Sequence, residues 1–309
     1  MQSLPLDAKI RMTKRRIEEW HDYWNENGKG TYVSFSGGKD STVLKHIVDS
    51  MYDDVPSVFV DTGLEYPEIK AFVREINKGK YEPMLKANVK IIRPEMRFDE
   101  VIKTKGYPVI SKAVSDAVRC TRSYLQKRKA EGLKCDIPTT TEELQLWKDA
   151  SRMSLRMFGM LGKDYKPVLS TTPKCDKHPY NQEKYQYLLD APFLISNKCC
   201  RIMKKHPMEK YEKENNSVPF LGIMADEGRF RKQSWLRTGC NAFESTRPHS
   251  NPLSFWTQQD ILHYITHHNL PIAKIYGDVK QDGNDKWYTT RLDRTGCMFC
   301  MFGAHLEKE

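Results

Sequence analysis

Three short apolar runs alternate with two amphipathic helical stretches between Thr31 and Pro94. The runs are TYVSF (Thr31 to Phe35), the VFV within VPSVFVDTG, and NVKIIRP (Asn88 to Pro94). DSTVLKHIVDSM and PEIKAFVREIN lie between them. Short β-rich runs separated by helices cannot pair as hairpins, because parallel neighbours need a crossover, and the helix supplies it. The pattern therefore predicts an α/β fold with a parallel sheet. SVPFLGIM (Ser217 to Met224) reads as a fourth strand, far downstream.

The rest of the chain is assigned around that sheet. Ile10, Ile17, Trp20 and Trp24 recur at helical spacing and predict a helix over residues 7 to 26, with the tryptophans as core anchors. A polar stretch from about Phe98 to Lys198 reads as a helical insertion over the active edge of the sheet. NPLSFWTQQDILHYITHHN predicts a loop and then a helix capped by Thr257. The domain reading is an N-terminal helix (1–30), an α/β domain (31–270) with the insertion at about 98–198, and a cysteine-rich C-terminal segment (271–309).

SFSGGKDSTVLKHI joins the first strand to its helix. A glycine turn into a helix N-terminus is a physical anion site, since the first amides lack internal partners and the helix dipole adds positive potential. Gly37 and Gly38 let the backbone approach phosphate oxygens, Ser36, Ser41 and Thr42 add hydroxyls, and Lys39 adds a point charge. The loop is not a Walker motif, because Val33 stands where the first glycine is required and Asp40 follows the lysine.

Ser36-Gly37-Gly38-Lys39-Asp40-Ser41 resembles SGGxDS, the PP-loop of the adenine-nucleotide alpha-hydrolase group. The resemblance implies a Rossmann-like fold and an adenine nucleotide with its phosphates in this loop. In FVDTGLEYPEI, Asp61, Thr62 and Gly63 end the second strand and are expected in the same crevice. This segment resembles the DTG turn of the sulfonucleotide (APS and PAPS) reductases. GIMADEGRFRKQSWLR resembles their G-x-R-x-x-E-S-x-x-R segment through Gly222, Glu227 and Arg231, with Met224 in place of the first arginine and Gly228 in place of the serine. Arg229, Arg231, Lys232 and Arg237 remain as clamps for phosphate or sulfate. PLSFWTQQDI matches the family's P-[IL]-x-x-W-T-x-x-D-[IV] segment.

Eight cysteines are spread unevenly, with Cys199-Cys200 adjacent and Cys297 and Cys300 in CMFC. Adjacent cysteines suit the separate irons of a [4Fe–4S] cluster better than one compact zinc ion, and four thiolates are its usual complement. A structural zinc site is the alternative. CC…CxxC is also similar to the cluster-bearing APS reductases. Cys120, Cys135, Cys175 and Cys240 read as buried thiols. His267, His268 and His305 read as surface or supporting residues.

On these motifs the chain is identified as a member of the PAPS reductase-like family. The resemblance implies two enzyme readings. In one, ATP is cleaved between its alpha- and beta-phosphates, an acceptor oxygen on a nucleic acid is adenylated, and sulfur from a donor protein replaces it. In the other, APS or PAPS is reduced to sulfite, with an electron donor. That second reaction uses a late nucleophilic cysteine in the family; no cysteine follows Cys300 here, which fits either a protein without that step or a sequence cut short after Glu309. A nucleotide- or nucleic-acid-binding module without turnover is the third reading. Lys39, Asp40 and Asp61 are the candidate catalytic residues, with Asp40 or Asp61 expected to hold Mg²⁺. The formal charge of +10 favours polyanionic partners such as tRNA or DNA, as does a basic run at Arg119, Arg122, Lys127, Arg128 and Lys129. The absence of a long apolar run and of an apolar leader predicts a cytoplasmic protein without a membrane partner. The sequence leaves the oligomeric state open.

Overall fold

The computed structural model describes residues 1–302. The described residues divide into two compact units, Met1–Glu95 with Lys204–Met298, and Met96–Met203 with residues 299–302.

The first unit is built on a six-stranded sheet. Its strands are β1 (Gly30–Phe35), β2 (Ser57–Val60), β3 (Val89–Ile92), β4 (Ser217–Leu221), β5 (Asn241–Ala242) and β6 (His249–Ser250), in the spatial order β3-β2-β1-β4-β6-β5. All neighbours are parallel except β5 and β6. In the register, Val33 lies between Ser57 of β2 and Phe220 of β4. The sheet is buried on both faces, which is why its central strands read as continuous apolar runs. Val33, Phe35, Phe59 and Phe220 face the main core with Trp20, Ile47, Phe72 and Trp256. Tyr32 and Val58 face the other side, against Met208 and Tyr211. A separate hairpin pairs β7 (Val279–Gln281) with β8 (Trp287–Thr289).

The expected helices are present at Leu6–Glu26, Lys39–Asp49, Pro67–Asn77 and Gln258–His267. Thr257 does cap the last of these. Its hydroxyl accepts from the Asp260 amide, while the Asp260 carboxylate accepts from the Thr257 amide at 2.6 Å. The same carboxylate takes the buried Lys9 ammonium at 2.6 Å, which ties the N-terminal helix to this one.

His46, on the helix Lys39–Asp49, bonds the Tyr264 hydroxyl at 2.8 Å and lies 5.5 Å from the His268 ring. Burial, and then the neighbouring His268 and Lys14 charges, hold its imidazole down to about 4. Its unfolded value is about 6.5, so the unfolded chain takes up the proton first as pH falls. Its contribution is fully present above pH 6.5 and is lost between about pH 6.5 and 4, by about 3 kcal/mol. Denaturant midpoints across that window should fall for the parent and stay flatter for His46→Asn. Parallel curves would remove His46 as the cause.

The second unit is helical at Phe98–Lys105, Lys112–Ala130, Thr141–Gln145 and Arg152–Met157. It has small cores of its own, one around Val114, Val118, Met157 and Ile195, the other around Tyr124, Trp147, Phe158 and Leu161. The helical reading of the whole stretch to Lys198 is too generous. Beyond Met157 the chain is irregular with short 3₁₀ turns, because Gly159, Gly162, Pro167, Pro173 and Pro179 interrupt any helix. Two of the arginines in the basic run are structural. Arg122 donates to four backbone carbonyls, and buried Arg128 donates to those of Lys134 and Leu146.

Candidate nucleotide cleft

At the carboxyl ends of β1 and β4 the first unit opens a cleft of about 310 Å³. The sequence builds its floor from the glycine loop. Gly38 caps the helix Lys39–Asp49 with extended backbone. Gly37 sits at φ +71°, and a β-carbon there would stand 2.7 Å from the Ile69 side chain. Only glycine satisfies both conditions. The Ser36 and Ser41 hydroxyls lie 3.0 Å apart, and the Gly38 amide donates to the Ser36 hydroxyl at 3.3 Å. The Ser41 and Thr42 hydroxyls both donate to the Gly38 carbonyl at 2.9 Å. This lattice fixes two hydroxyls and a helix start around one point. Gly222, at the end of β4, lies so close that a β-carbon would meet the Ser41 backbone at 3.2 Å.

The cations come from three places. Lys39 is 2% exposed; its ammonium donates to the Asp293 carbonyl and lies 5.4 Å from the centre of the Tyr276 ring. Burial draws its pKa below the usual lysine value. Arg231 and Arg294 both pair with the Glu227 carboxylate, which also accepts from the Met224 amide at 3.0 Å. Asp40 is pushed up chiefly by burial, and its Oδ1 is buried with no hydrogen-bond partner. Burial also raises the Tyr276 phenol to about 12, so it is a neutral group bonded to Thr295 at 2.7 Å.

Ser36, Gly38, Lys39, Asp40, Ser41, Gly222, Glu227 and Arg231 of the expected set line the cleft. Gly37 and Thr42 support it from behind. Arg229 is exposed on the first turn of the helix Arg229–Thr238 and does not line it. Asp61, Thr62 and Gly63 also stay out of the lining. Asp61 is held by Lys70 at 3.3 Å and Arg93 at 3.7 Å, and it accepts from the Gly63 amide. Thr62 is locked onto Glu65 at 2.6 Å. This turn instead receives the C-terminal segment, whose Met298 amide donates to the Leu64 carbonyl at 2.9 Å. The sequence reading missed Tyr276, Arg294 and Thr295. Nothing local marks Arg294, which lies three residues before Cys297. Met224 is 1% exposed in the core, so the cation expected at that position is absent and Arg294 reaches Glu227 from elsewhere.

The cysteines are less gathered. In the first unit Cys297 is half-buried beside Met298. In the second unit Cys199 is buried with Val101 and Met203, Cys200 and Cys300 are half-buried, and both Cys199 and Cys300 bear on the Tyr107 phenol. Among the described residues, no three His, Cys, Asp or Glu side chains converge on a metal-sized point. His267 is exposed, and His268 is half-buried against His46. His305 lies outside the described residues. No described helix is long and apolar enough to cross a membrane.

A parallel, Rossmann-like sheet with a glycine loop, fixed hydroxyls and three cations at its carboxyl edge defines a protein of the nucleotide-handling α/β class. The model of the phosphoadenosine phosphosulfate reductase domain matches residues 30–147 and 150–301, and the chain belongs to that family. A curated relative, an uncharacterized protein of Methanocaldococcus jannaschii, is 30% identical over 92 residues, 30% of this chain. The match spans only 21% of that protein's length. Among solved structures, the phosphoadenylyl-sulfate (PAPS) reductase from Candida auris in a phosphate complex is similar at 12% identity with a TM-score of 0.42, over 92% of this chain and 98% of that one.

Proposed function

We propose that the cleft binds ATP and directs its cleavage between the alpha- and beta-phosphates, adenylating an acceptor oxygen on a nucleic acid. The observation that carries this reading is the composition of the cleft: Lys39, with Arg231 and Arg294 held on Glu227, lines it beside the Ser36–Ser41 hydroxyl pair. Three cations and a helix start suit a leaving pyrophosphate, whose charge grows as the bond to the alpha-phosphorus breaks. The acceptor oxygen attacks that phosphorus, and pyrophosphate departs into the loop. Hydrosulfide released by a donor protein then attacks the atom that bears the adenylated oxygen: the new bond to sulfur forms as the bond to oxygen breaks, AMP leaves carrying that oxygen, and the sulfur stays at the sulfide level throughout. The orphaned Asp40 Oδ1 fits a Mg²⁺ ligand beside phosphate oxygens. Asp61, already engaged by Lys70 and Arg93, fits that role poorly.

Family membership favours a second reading, reduction of APS or PAPS to sulfite with release of AMP or PAP. The loop would then hold the sulfate or phosphate end of the sulfonucleotide. One assay separates the two. Anaerobically purified protein is given Mg-ATP with and without bulk tRNA or DNA, and pyrophosphate is measured beside sulfite formed from APS and PAPS. Nucleic-acid-stimulated pyrophosphate supports adenylation. Sulfite without pyrophosphate replaces it with the reductase reading, and tight nucleotide binding with neither product leaves a binding module.

The [4Fe–4S] assignment to Cys199, Cys200, Cys297 and Cys300 stands on donor chemistry and spacing, and no step is routed through it. It predicts close to four irons and four sulfides per chain after anaerobic purification, and loss of most of both in Cys199→Ala. Full iron and sulfide in that variant would break the ligand set, and one bound zinc in the parent would favour the alternative.

A further inference from the structure

The second unit carries a surface that the nucleotide chemistry does not use. Three short segments between residues 160 and 178 are joined by backbone hydrogen bonds: Val168 to Met160 at 2.9 Å, Gly162 to Lys166 at 2.8 Å, Lys163 to Asp176 at 3.2 Å and His178 to Leu161 at 2.8 Å. This frame rests on the core of Trp147, Phe158, Met160 and Leu161. Tyr165, His178 and Tyr180 follow one another across it, with ring centroids 4.8 and 5.4 Å apart. The Arg152 guanidinium lies over Tyr165 at 5.3 Å. Arg156 holds the Tyr180 carbonyl at 2.8 Å.

These rings are not core. Tyr165 is 53% exposed and Tyr180 58% exposed. Tyr165 also sits at φ +65°, a left-handed conformation that glycine holds freely and a bulky residue does not. A glycine would serve the turn better, so the tyrosine sits there against its backbone preference, and such outliers concentrate at functional surfaces. The setting is basic: residues 152–177 contain six Lys or Arg and two Asp or Glu. Lys163 and Lys174 are exposed, and the Lys163 amide joins their two segments through the Asp176 carbonyl.

We infer that this surface binds unpaired, single-stranded nucleic acid, with bases stacked on Tyr165, His178 and Tyr180 and phosphates met by Lys163 and Lys174. Flat aromatic faces interleaved with cations are what a single strand requires, since every base presents a π-face and every step a charge. A duplex hides its base faces, so the rings select unpaired regions. The inference rests on the reading of nucleic acid as the acceptor for its role, and the strand-binding itself is measured separately.

Fluorescence anisotropy on the full chain, with labelled oligo-U and oligo-dT long enough to fill an about 16-nucleotide site, tests it. Replacing both Tyr165 and Tyr180 with alanine is expected to weaken strand binding about tenfold or more, and replacing both with phenylalanine to preserve it. The leucine pair keeps the apolar bulk without the flat face and is expected to behave like alanine, which separates stacking from folding. Lys163→Gln with Lys174→Gln should weaken all sequences alike and flatten the salt slope by about 1.4. No strand binding by the parent, or unchanged affinity in the leucine pair, overturns the assignment. Pyrophosphate release from ATP without strand binding sinks this surface and spares the nucleotide reading. Strand binding through the tyrosines without release does the reverse.

Discussion

Replacing Lys39 with alanine is expected to lower nucleotide turnover by about 10²-fold or more while leaving the sheet folded. The ammonium is almost fully buried, over the Tyr276 ring and against the Asp293 carbonyl. Burial disfavours its charge, and an anion in the cleft would favour it. A cation held in a dry site stabilises developing phosphate charge more than one in water, and nothing needs to reorganise as the bond breaks. Lys39→Met separates the charge from the packing, because methionine fills most of the same volume without a charge. Both variants should lose turnover, and Lys39→Met should keep the parent's melting temperature more closely. Parent-like pyrophosphate or sulfite formation in either variant would remove the loop from the chemistry.

The largest stability effect is expected at Trp256. Its side chain is fully buried in the main core, and its indole N–H donates to the Thr13 hydroxyl at 2.9 Å. Thr13 in turn donates to the Pro252 carbonyl at 3.3 Å. Trp256→Ala therefore removes a large packed ring and leaves Thr13 with one bond fewer. The expected cost is about 3–5 kcal/mol, read as a lower denaturant midpoint with an unchanged slope. Trp256→Phe keeps most of the volume and loses the N–H bond, so its loss should be smaller. A midpoint within experimental error of the parent for Trp256→Ala would mean that the N-terminal helix and the loop before Thr257 are not locked together as described.

The parts of the fold that the sequence announces are those with local causes. β1, β2 and β4 are apolar because the sheet is covered on both faces there, and the Thr257 box is written within four residues. β5 and β6 have two residues each, too few for any period to show. The β7–β8 hairpin did carry a signal, the turn-forming DGND of Asp282 to Asp285, set between two runs of β-forming residues. For the cleft, the glycine loop was legible because its geometry demands particular residues in order. Tyr276, Arg294 and Thr295 were not, since they reach the loop from more than 200 positions away and carry no local mark. Asp61 misled for the opposite reason. Its turn looks like a ligand site, and only the neighbouring Lys70 and Arg93 reveal that its charge is already engaged.

The cleft borrows its far wall from the segment after the helix Gln258–His267, which brings Tyr276, the Asp293 carbonyl, Arg294 and Thr295 to a loop made near the start of the chain. That ordering has a consequence during synthesis. A nascent chain has its glycine loop long before it has the residues that close on it. The loop alone is an anion site open on one side, and its far wall is complete only in a chain that also carries Tyr276, Asp293, Arg294 and Thr295.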